Sequence, residues 1–461
     1  MRKGAACLAV FLLLSTVAFA QEAVISGTVT DATGAVLPGA TVTAVLEGTG
    51  NSFVSVTDER GTYRIPVRIG TFKIAAELSG FSTVTREGVE VLVGQQEVVN
   101  LRMALGGVAE TLTVTGQAPL LDVTQSKVGT NIDPRQMQEL PVNGRNWLGL
   151  ATLAQGARTA AITDSPVQNG AAGGVTEAGN GPAQVMNVSF QLNVDGQQVT
   201  QLVGSTQGQP SYSRDAIAEF QFVANRFDAT QGRSTGVQVN AVTKSGTNRL
   251  AGSLAGYFRS DKLNAADFVA KTVLPYSDQQ VSTTLGGPIR KDKIHFFGSY
   301  EYERNPQTYA FLTPFPGYNR SVGVTERQHK ALGRLDIQLS TRTRGMIRGQ
   351  YWQDPETLTS GAPNTKTSHP ASLQRAGFKS RQVFGTLTQV LSNRLVHEMK
   401  AGYSSMIFGN YEKATYSGSP MPATSLFPAN TGMPAIQFLG FSGGNAFSPY
   451  EGRQGLYSVR E

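Results

Sequence analysis

A strict two-residue alternation across residues 251–461 constrains the fold of this chain more than any other feature. The segment 333–340 alternates Gly, Leu, Ile and Leu with Arg, Asp, Gln and Ser, and segments 295–303, 344–351 and 398–407 repeat the pattern. Successive side chains of a β-strand point to opposite faces, so each segment predicts a strand with one apolar face and one ionisable face. A barrel with lipid outside and water inside requires this pattern, although a soluble sandwich also produces it.

The lengths of the connections favour the barrel. The turns at 340–343 and 392–394 are short, whereas 304–325 and 353–375 are long and rich in Pro and Gly. Outer-membrane barrels have short periplasmic turns and long extracellular loops. Five aromatic residues are expected in the girdles at the two membrane interfaces: Tyr300, Tyr302, Tyr351, Trp352 and Tyr403.

The N-terminus, MRKGAACLAVFLLLSTVAFAQ, predicts a secretory signal peptide over residues 1–20. A positive start precedes the apolar core Leu8–Leu14, and Ala18 and Ala20 form an A-x-A cleavage site. The core is short for a membrane anchor, which needs about 20 apolar residues. Cys7 precedes the apolar core, which disfavours a lipoprotein.

Loss of this leader removes the single cysteine and lowers the formal net charge from +7 to +5, because Arg2 and Lys3 are lost. No disulfide then stabilises the exported chain. Its Lys and Arg residues are scattered, which argues against a nucleic-acid partner. No later apolar stretch reaches about 18 residues, so no spanning helix is expected. A periplasmic protein or an outer-membrane barrel fits these properties.

Residues 22–105 predict a β-sandwich, since about seven short strands separated by turns fill about 80 residues. The strings GTVTDATGAVLPGATVTAV (27–45), TDERGTYRIP (57–66) and SGF (79–81) resemble the carboxypeptidase regulatory-like domain. The resemblance implies an accessory module without catalytic residues and with a carbohydrate-binding-like or immunoglobulin-like fold. Contact with sugar and a role as spacer or docking module both stay open.

Residues 106–250 predict a mixed α+β unit. Segment 133–140 is expected to be a short helix, and segment 213–220 a second helix with Ser213 as its N-cap. The Gly- and Ala-rich segment 155–182 is expected to be a loop. Asp195 and Gly196 are expected to form a tight turn, and turn chemistry explains this Asp-Gly pair without a bound cation.

Four strings carry a second resemblance: LPVNGRN (140–146), NVDGQQV (193–199), RDAIAEF to KSGTN (214–248) and GSLAGYFRSDKLNAADF (252–268). With the module order, they resemble a TonB-dependent outer-membrane receptor of the Oar-like group, from residue 22 to the end. The resemblance implies a plug over 106–250 and the start of an antiparallel transmembrane β-barrel over 251–461. The plug motif residues are Asn143, Gly144, Arg145, Asp195 and Gly196.

The segment ETLTVTG (110–116) has the form of the family's TonB box, the strand that a TonB-type inner-membrane protein grips. Its residues are Glu110, Thr111, Leu112, Thr113, Val114 and Thr115. Strand addition uses backbone hydrogen bonds and needs an extended, β-prone segment. The alternative is that 110–115 closes the sandwich. Against it, 97–103 already offers a final strand, and Gly106-Gly107 separates the two.

The number of predicted strands is small for a plugged pore. Roughly seven or eight strands are expected in 251–461, whereas about 22 are needed to hold a plug. The chain is therefore expected to be a C-terminally truncated copy of a longer barrel protein, because open sheet edges are prohibitive in lipid.

The sequence contains no catalytic constellation. The four histidines, His295, His329, His369 and His397, lack ligand spacing, and HExxH, CxxC and GxSxG are absent. Glu301 and Glu303 are expected to be lumen-facing charges. No enzyme activity, metal or cofactor is expected.

We therefore expect a Gram-negative outer-membrane receptor for active uptake, surrounded by outer-membrane lipid and driven by a TonB-type partner. Its extracellular ligand, an iron chelate, oligosaccharide or peptide, would contact surface loops, the 155–182 loop and the turn at Asp195. The alternative is a cell-surface adhesion or interaction protein without transport.

Overall fold

The computed structural model describes most of the chain in separate ranges. They are 23–106, 112–114, 129–142, 145–154, 157–159, 175–177, 190–200, 210–223, 237–263, 265–266, 273, 277–311, 314–358, 375–392, 395–411, 436–438, 441–443 and 450–460. The predicted leader with Ala18 and Ala20 lies outside these ranges, as do Asn143 and Gly144.

The N-terminal part is a sandwich of short strands. They are β1 (Ala23–Asp31), β2 (Thr41–Leu46), β3 (Ser52–Val56), β4 (Thr62–Val67), β5 (Gly70–Glu77), β6 (Val84–Val91), β7 (Gln96–Val98) and β8 (Leu101–Met103). One sheet has the order β4-β1-β7, with β8 also paired to β1, and the other contains β3-β2-β5-β6. As the alternation predicts, Phe72, Ile74 and Ala76 of β5 are fully buried between the sheets.

A further short strand, β9 (Leu112–Val114), extends the second sheet of the sandwich. It runs parallel to β6, with Leu112 opposite Val84 and Val114 opposite Arg86. The chain reaches this edge because the Ser82 amide donates to the Ala104 carbonyl at 2.8 Å.

The middle part is a five-stranded mixed sheet with one short helix. Its strands are β10 (Gly129–Ile132), β13 (Phe190–Val194), β14 (Gln197–Gln198), β15 (Ile217–Val223) and β16 (Val237–Thr243), in the order β10-β15-β16-β13-β14. Two further strands, β11 (Ala157–Thr159) and β12 (Val175–Glu177), pair with each other inside the predicted 155–182 loop. A 3-10 helix covers Trp147–Leu153. We call the five-stranded sheet the middle sheet.

The helix α1 (Pro134–Glu139) confirms the prediction for 133–140. Asp133 is its N-cap and forms a reciprocal capping box with Gln136, and Pro134 occupies the first helical turn. Within the described ranges, no helix combines the length and apolarity required to cross a membrane.

The second predicted helix, at 213–220, is wrong. Ser213 does cap a 3-10 turn over Arg214–Ala216, but the chain then enters β15. Strand β15 pairs with β10 on one side and β16 on the other. The backbone bonds to two neighbours outweigh the weak helical pattern of a few residues, because short isolated helices are unstable.

The C-terminal part is a meander of long antiparallel strands, which we call the long sheet. Its strands are β17 (Ala251–Ser260), β18 (Ser277–Arg290), β19 (Ile294–Phe311), β20 (Arg320–Gln338), β21 (Thr343–Leu358), β22 (Arg375–Ser392), β23 (Leu395–Tyr411) and β26 (Tyr450–Arg460). They pair in this order, and a small separate hairpin joins β24 (Ile436–Phe438) to β25 (Phe441–Gly443).

The two ends of the long sheet differ in their connections. At one end the strands are joined by 291–293, 339–342 and 393–394, and at the other by 261–276, 312–319, 359–374 and 412–449. We call the first the short-turn end. The predicted loop 304–325 is mostly strand, because β19 and β20 extend to Phe311 and from Arg320.

The long sheet carries apolar side chains on its outer face and polar ones on its inner face. Ile347 is 51% exposed, whereas its neighbour Arg348 is 1% exposed. This inversion of a soluble sheet suits a wall with lipid outside, as in an outer-membrane barrel. The prediction that Trp352 belongs to an aromatic girdle is wrong. Its side chain is buried and stacks on Phe378, with 5.8 Å between the ring centroids. It shares the inner face with Arg348, so it cannot belong to an outer girdle.

Candidate functional site

The turn at Asp195 and Gly196 joins β13 to β14, and both residues have positive φ, 51° and 73°. Two successive left-handed residues are typical of a type I′ hairpin turn. The carboxylate of Asp195 accepts hydrogen bonds from the Thr243 amide and hydroxyl, both at 2.9 Å. These bonds fix the carboxylate at the end of β16.

Asp195 connects the middle sheet to the inner face of the long sheet. Its Oδ1 lies 3.1 Å from Nη1 of Arg334, and its Oδ2 lies 3.0 Å from Nε of Arg348. The three side chains are at least 92% buried. Because two guanidinium groups occupy the carboxylate, the arrangement provides charge pairing between the two sheets instead of a cation site.

Arg145, which is described whereas Asn143 and Gly144 of the same motif are not, makes a second connection. Its Nη2 lies 2.8 Å from Oδ2 of Asp215, and its guanidinium lies 3.7 Å above the ring of Tyr257 in β17. The hydroxyl of Ser282 in β18 also donates to Asp215. Arg145 has a φ of 55°, unusual for a residue with a side chain. The motif therefore ties the middle part to the first strands of the long sheet.

A chain of polar contacts continues along the inner face. The Tyr212 hydroxyl donates to Oε1 of Gln382 at 2.5 Å, and the Ser213 hydroxyl donates to Oε2 of Glu301 at 2.7 Å. Burial raises the pKa of the Tyr212 phenol above its ordinary value. Tyr212 therefore stays a neutral hydrogen-bond donor.

The carboxylates Glu301 and Glu303 face inward, as predicted. Both are buried, and Nζ of Lys330 lies 2.8 Å from Glu301 and 2.9 Å from Glu303. Their pairing with one lysine makes them part of the lining of the inner face.

Apolar contacts complete the attachment of the middle sheet. Phe297, Leu332 and Phe384 lie on the mostly polar inner face and belong to the same buried cluster as Trp147 and Phe220. The middle sheet is therefore held by a shared core as well as by charge pairs.

A buried carboxylate, Glu219 of β15, marks the border with the sandwich. It accepts a hydrogen bond from the Val93 amide. Burial, with smaller contributions from the nearby carboxylates Glu90 and Asp133, raises the pKa of Glu219 to about 8, although the hydrogen bond from Val93 opposes this rise. Glu219 is therefore mostly protonated at neutral pH in this arrangement.

The predicted ETLTVTG segment is described only at Leu112–Val114. These residues form β9 on the edge of the sandwich, while Glu110, Thr111 and Thr115 lie outside the described ranges. The backbone is extended, as strand addition requires, but it pairs with β6, as the alternative that 110–115 closes the sandwich predicts.

The predicted site residues therefore occupy three places: β9 on the sandwich, Arg145 near β17, and Asp195 between the middle and long sheets. The sequence did not lead us to predict that Arg334 and Arg348 pair with Asp195. The alternation along β20 and β21 could have suggested it, because both arginines lie on the ionisable face of their strands. Among the described residues, no three His, Cys, Asp or Glu side chains are grouped to hold a metal ion.

Two protein-family models match parts of the chain. The carboxypeptidase regulatory-like domain matches residues 24–104, and the outer membrane beta barrel domain matches residues 242–317. The first match coincides with the sandwich and the second begins at the end of β16.

One curated relative is the TonB-dependent transporter Oar of Myxococcus xanthus, which is 28% identical over 319 residues. The alignment covers 65% of this chain and 28% of that transporter, so the chain spans less than a third of the length of the relative. By its name, this relative is a transporter.

Several solved structures are similar to part of the chain. They include the outer membrane transporter YddB from Escherichia coli (13% identity, 62% of this chain, 39% of that chain, TM-score 0.45) and the siderophore receptor PirA from Acinetobacter baumannii (16%, 62%, 41%, TM-score 0.45). The alcaligin outer membrane receptor FauA from Bordetella pertussis is 14% identical; the match covers 64% of this chain and 40% of that chain, with a TM-score of 0.41.

The match to the outer membrane beta barrel domain and the Oar relative indicate the outer membrane as the location of this chain. The chain is thus a homologue of the TonB-dependent transporter Oar, with a carboxypeptidase regulatory-like domain followed by an outer-membrane β-barrel domain.

Proposed function

We propose that the protein is a TonB-dependent receptor that actively takes up a ligand across the outer membrane, with the middle sheet as its plug. One observation carries the proposal: the middle sheet is fastened to the inner face of an outer-membrane-type sheet through Asp195, Arg334 and Arg348. A polar inner face that is buried by a separate sheet is the arrangement expected of a plugged pore.

The energy is proposed to come from an inner-membrane protein of the TonB type, which grips the segment Glu110–Thr115. The extended backbone of β9 supports this, because a partner that adds a strand needs free or exchangeable backbone hydrogen bonds. Only three residues of β9 pair with β6, so the pairing to be exchanged is short.

The ligand is proposed to be an iron chelate, an oligosaccharide or a peptide that enters from the side opposite the short-turn end. The polar inner face would serve any of these classes. The name of the Oar relative supports transport in preference to adhesion without transport.

The test is uptake by cells that produce the intact protein, with three probes: ferric enterobactin, maltoheptaose and a fluorescent ten-residue peptide. Energised accumulation of at least one probe is expected. Leu112→Pro and Val114→Pro should abolish it while surface binding persists, because proline removes a backbone donor.

Leu112→Ala and Val114→Ala are the matched controls, since they keep the backbone amides and should keep most of the uptake. Full uptake in both proline variants would disprove the box assignment. Binding of a probe without any energised accumulation would instead favour the adhesion protein.

A further inference from the structure

The sandwich touches the short-turn end of the long sheet through two arginines. Nη1 of Arg68 lies 3.1 Å from Oδ1 of Asp336, and Arg68 also donates to the Gly345 carbonyl at 3.3 Å. In the other direction, Arg344 donates to the Pro66 carbonyl at 3.4 Å and its guanidinium lies 5.2 Å from the centre of the Phe53 ring.

A second contact lies beside the start of β17. The Asn248 amide donates to the Gly48 carbonyl at 2.9 Å, and its side-chain Nδ2 donates to the Thr49 carbonyl at 2.8 Å. Asn248 also bonds to Asp292 in the short turn 291–293. The same asparagine therefore joins the sandwich to the end of the long sheet.

A third contact joins the sandwich to the middle sheet. The Val93 amide donates to Glu219, and the Val93 carbonyl accepts from Nδ2 of Asn131 at 3.2 Å. Val93 is 3% exposed but belongs to neither the sandwich core nor the core of the middle sheet. Its burial therefore comes from the seam between the two parts.

These contacts have the character of a separable interface. They are hydrogen bonds, one ion pair and one cation–π contact, and a cavity of about 500 Å³ remains between Leu46, Leu92, Ala218 and Lys400. Polar interfaces between domains permit relative motion, unlike a large apolar interface. Residues 115–128 separate β9 from β10 in the sequence, and a fully extended segment of this length would reach at most roughly 45 Å.

We propose that the sandwich is a removable cover over the short-turn end of the pore: it is docked on the plug and barrel at rest and leaves to let cargo pass. Short turns mark the periplasmic side, so the cover closes the exit and not the entrance. Its role in passage rests on the proposed transport function, whereas its docking does not.

The docking is tested by a disulfide between Gly48→Cys and Thr247→Cys in the intact protein in outer membranes. An ideal Cβ at Gly48 lies 3.6 Å from Cγ2 of Thr247, which is within reach of a disulfide. The only native cysteine, Cys7, lies in the predicted leader. Gly34→Cys with Thr247→Cys is the matched control, because a Cβ at Gly34 meets no atom within 4 Å.

Rapid oxidation of the first pair and at least tenfold slower oxidation of the control are expected. The oxidised protein should bind the probe that the wild type accumulates at its surface but take up less than a tenth of it, and reductant should restore uptake. Equal oxidation of both pairs, or unchanged uptake by the oxidised protein, would overturn the proposal.

A second measurement does not need transport. Val93→Cys should react with a small maleimide at least tenfold faster than with a 5-kDa polyethylene glycol maleimide, and Arg68→Gln with Arg344→Gln should remove this difference. If wild-type cells accumulate no probe, the proposed function fails. The labelling then still tests whether the sandwich is docked on the middle and long sheets. A seam that the large reagent enters equally in both backgrounds would refute the docking.

Discussion

Oδ2 of Asp195 lies 3.0 Å from Nε of Arg348, although the two residues belong to different sheets. The same carboxylate meets Arg334, and the three charges are withdrawn from water. Removal of one partner from a buried pair leaves an uncompensated charge, which is more costly than the loss of an exposed pair.

We therefore expect Asp195→Ala to weaken the attachment of the middle sheet by about 3–5 kcal/mol. Buried Arg348 would lose this carboxylate partner, and Arg334 would keep only its ion pair with Asp336. Limited proteolysis of the middle sheet in urea, with the protein in outer membranes, measures this change. Glu139→Ala is the control, since it removes an exposed helical pair with Arg135 and should change little. Equal sensitivity of the two variants would contradict the role of Asp195.

Lys330→Met is expected to destabilise the long sheet by about 3–5 kcal/mol, because Glu301 and Glu303 would face each other without a cation. The temperature at which the folded band disappears in a detergent gel reports the loss. Addition of Glu301→Gln and Glu303→Gln should recover part of it. Lys291→Met, in an exposed turn, should leave the temperature unchanged.

Gly27→Ala is expected to destabilise the sandwich by about 1–3 kcal/mol through overpacking. An ideal Cβ at Gly27 would lie 2.0 Å from the Val99 carbonyl oxygen, to which the Tyr63 hydroxyl also donates at 2.6 Å. Hydrogen exchange of the β1 amides measures the effect. Gly48→Ala is the control, since its added Cβ makes only ordinary contacts. Normal protection in Gly27→Ala would show that β7 and its neighbours shift without cost.

Docking of the sandwich is expected to weaken as pH rises. Glu219 has a pKa of about 8 in the docked state against 4.5 when exposed, so docking takes up a proton between these values. The stabilisation is complete below pH 4.5 and is lost progressively as pH approaches 8. Glu90 and Asp133 face the same carboxyl and oppose its ionisation.

Dipolar spectroscopy between spin labels at Thr33→Cys and Lys291→Cys measures the docked fraction. We expect a larger fraction near pH 5 than near pH 8.5. Glu219→Gln should remain docked and lose this dependence, because the amide keeps an acceptor for Val93 but does not ionise. A pH profile that Glu219→Gln leaves unaltered would assign the effect to another group.

The sequence predicts the fold where local chemistry and tertiary packing agree. The short helix at 133–140 and the alternation around Leu335 depend on residues close in the chain, and both predictions are confirmed. Ser213 was recognisable as an N-cap, but the sequence did not show that the helical turn ends at Ala216. The following residues form a strand because they pair with β10 and β16, which are distant in the sequence.

The candidate site was less predictable for the same reason. Tyr351 and Trp352 are adjacent and must face opposite sides of a strand. The sequence alone therefore shows that the two cannot belong to the same outer girdle. By contrast, nothing local to Arg68 indicates that its partner is Asp336, more than two hundred positions away. Such a pair is decided by the docking of two separately folded parts.

The three apolar residues Phe297, Leu332 and Phe384 restrict how the proposed pore can open. On an inner face that is mostly polar, they are packed in the same buried cluster as residues of the middle sheet. Departure of the whole middle sheet would expose them to water, whereas a rearrangement that keeps the middle sheet in place would leave them covered. The hydration of these three side chains would therefore distinguish complete extraction of the proposed plug from a partial opening beside it.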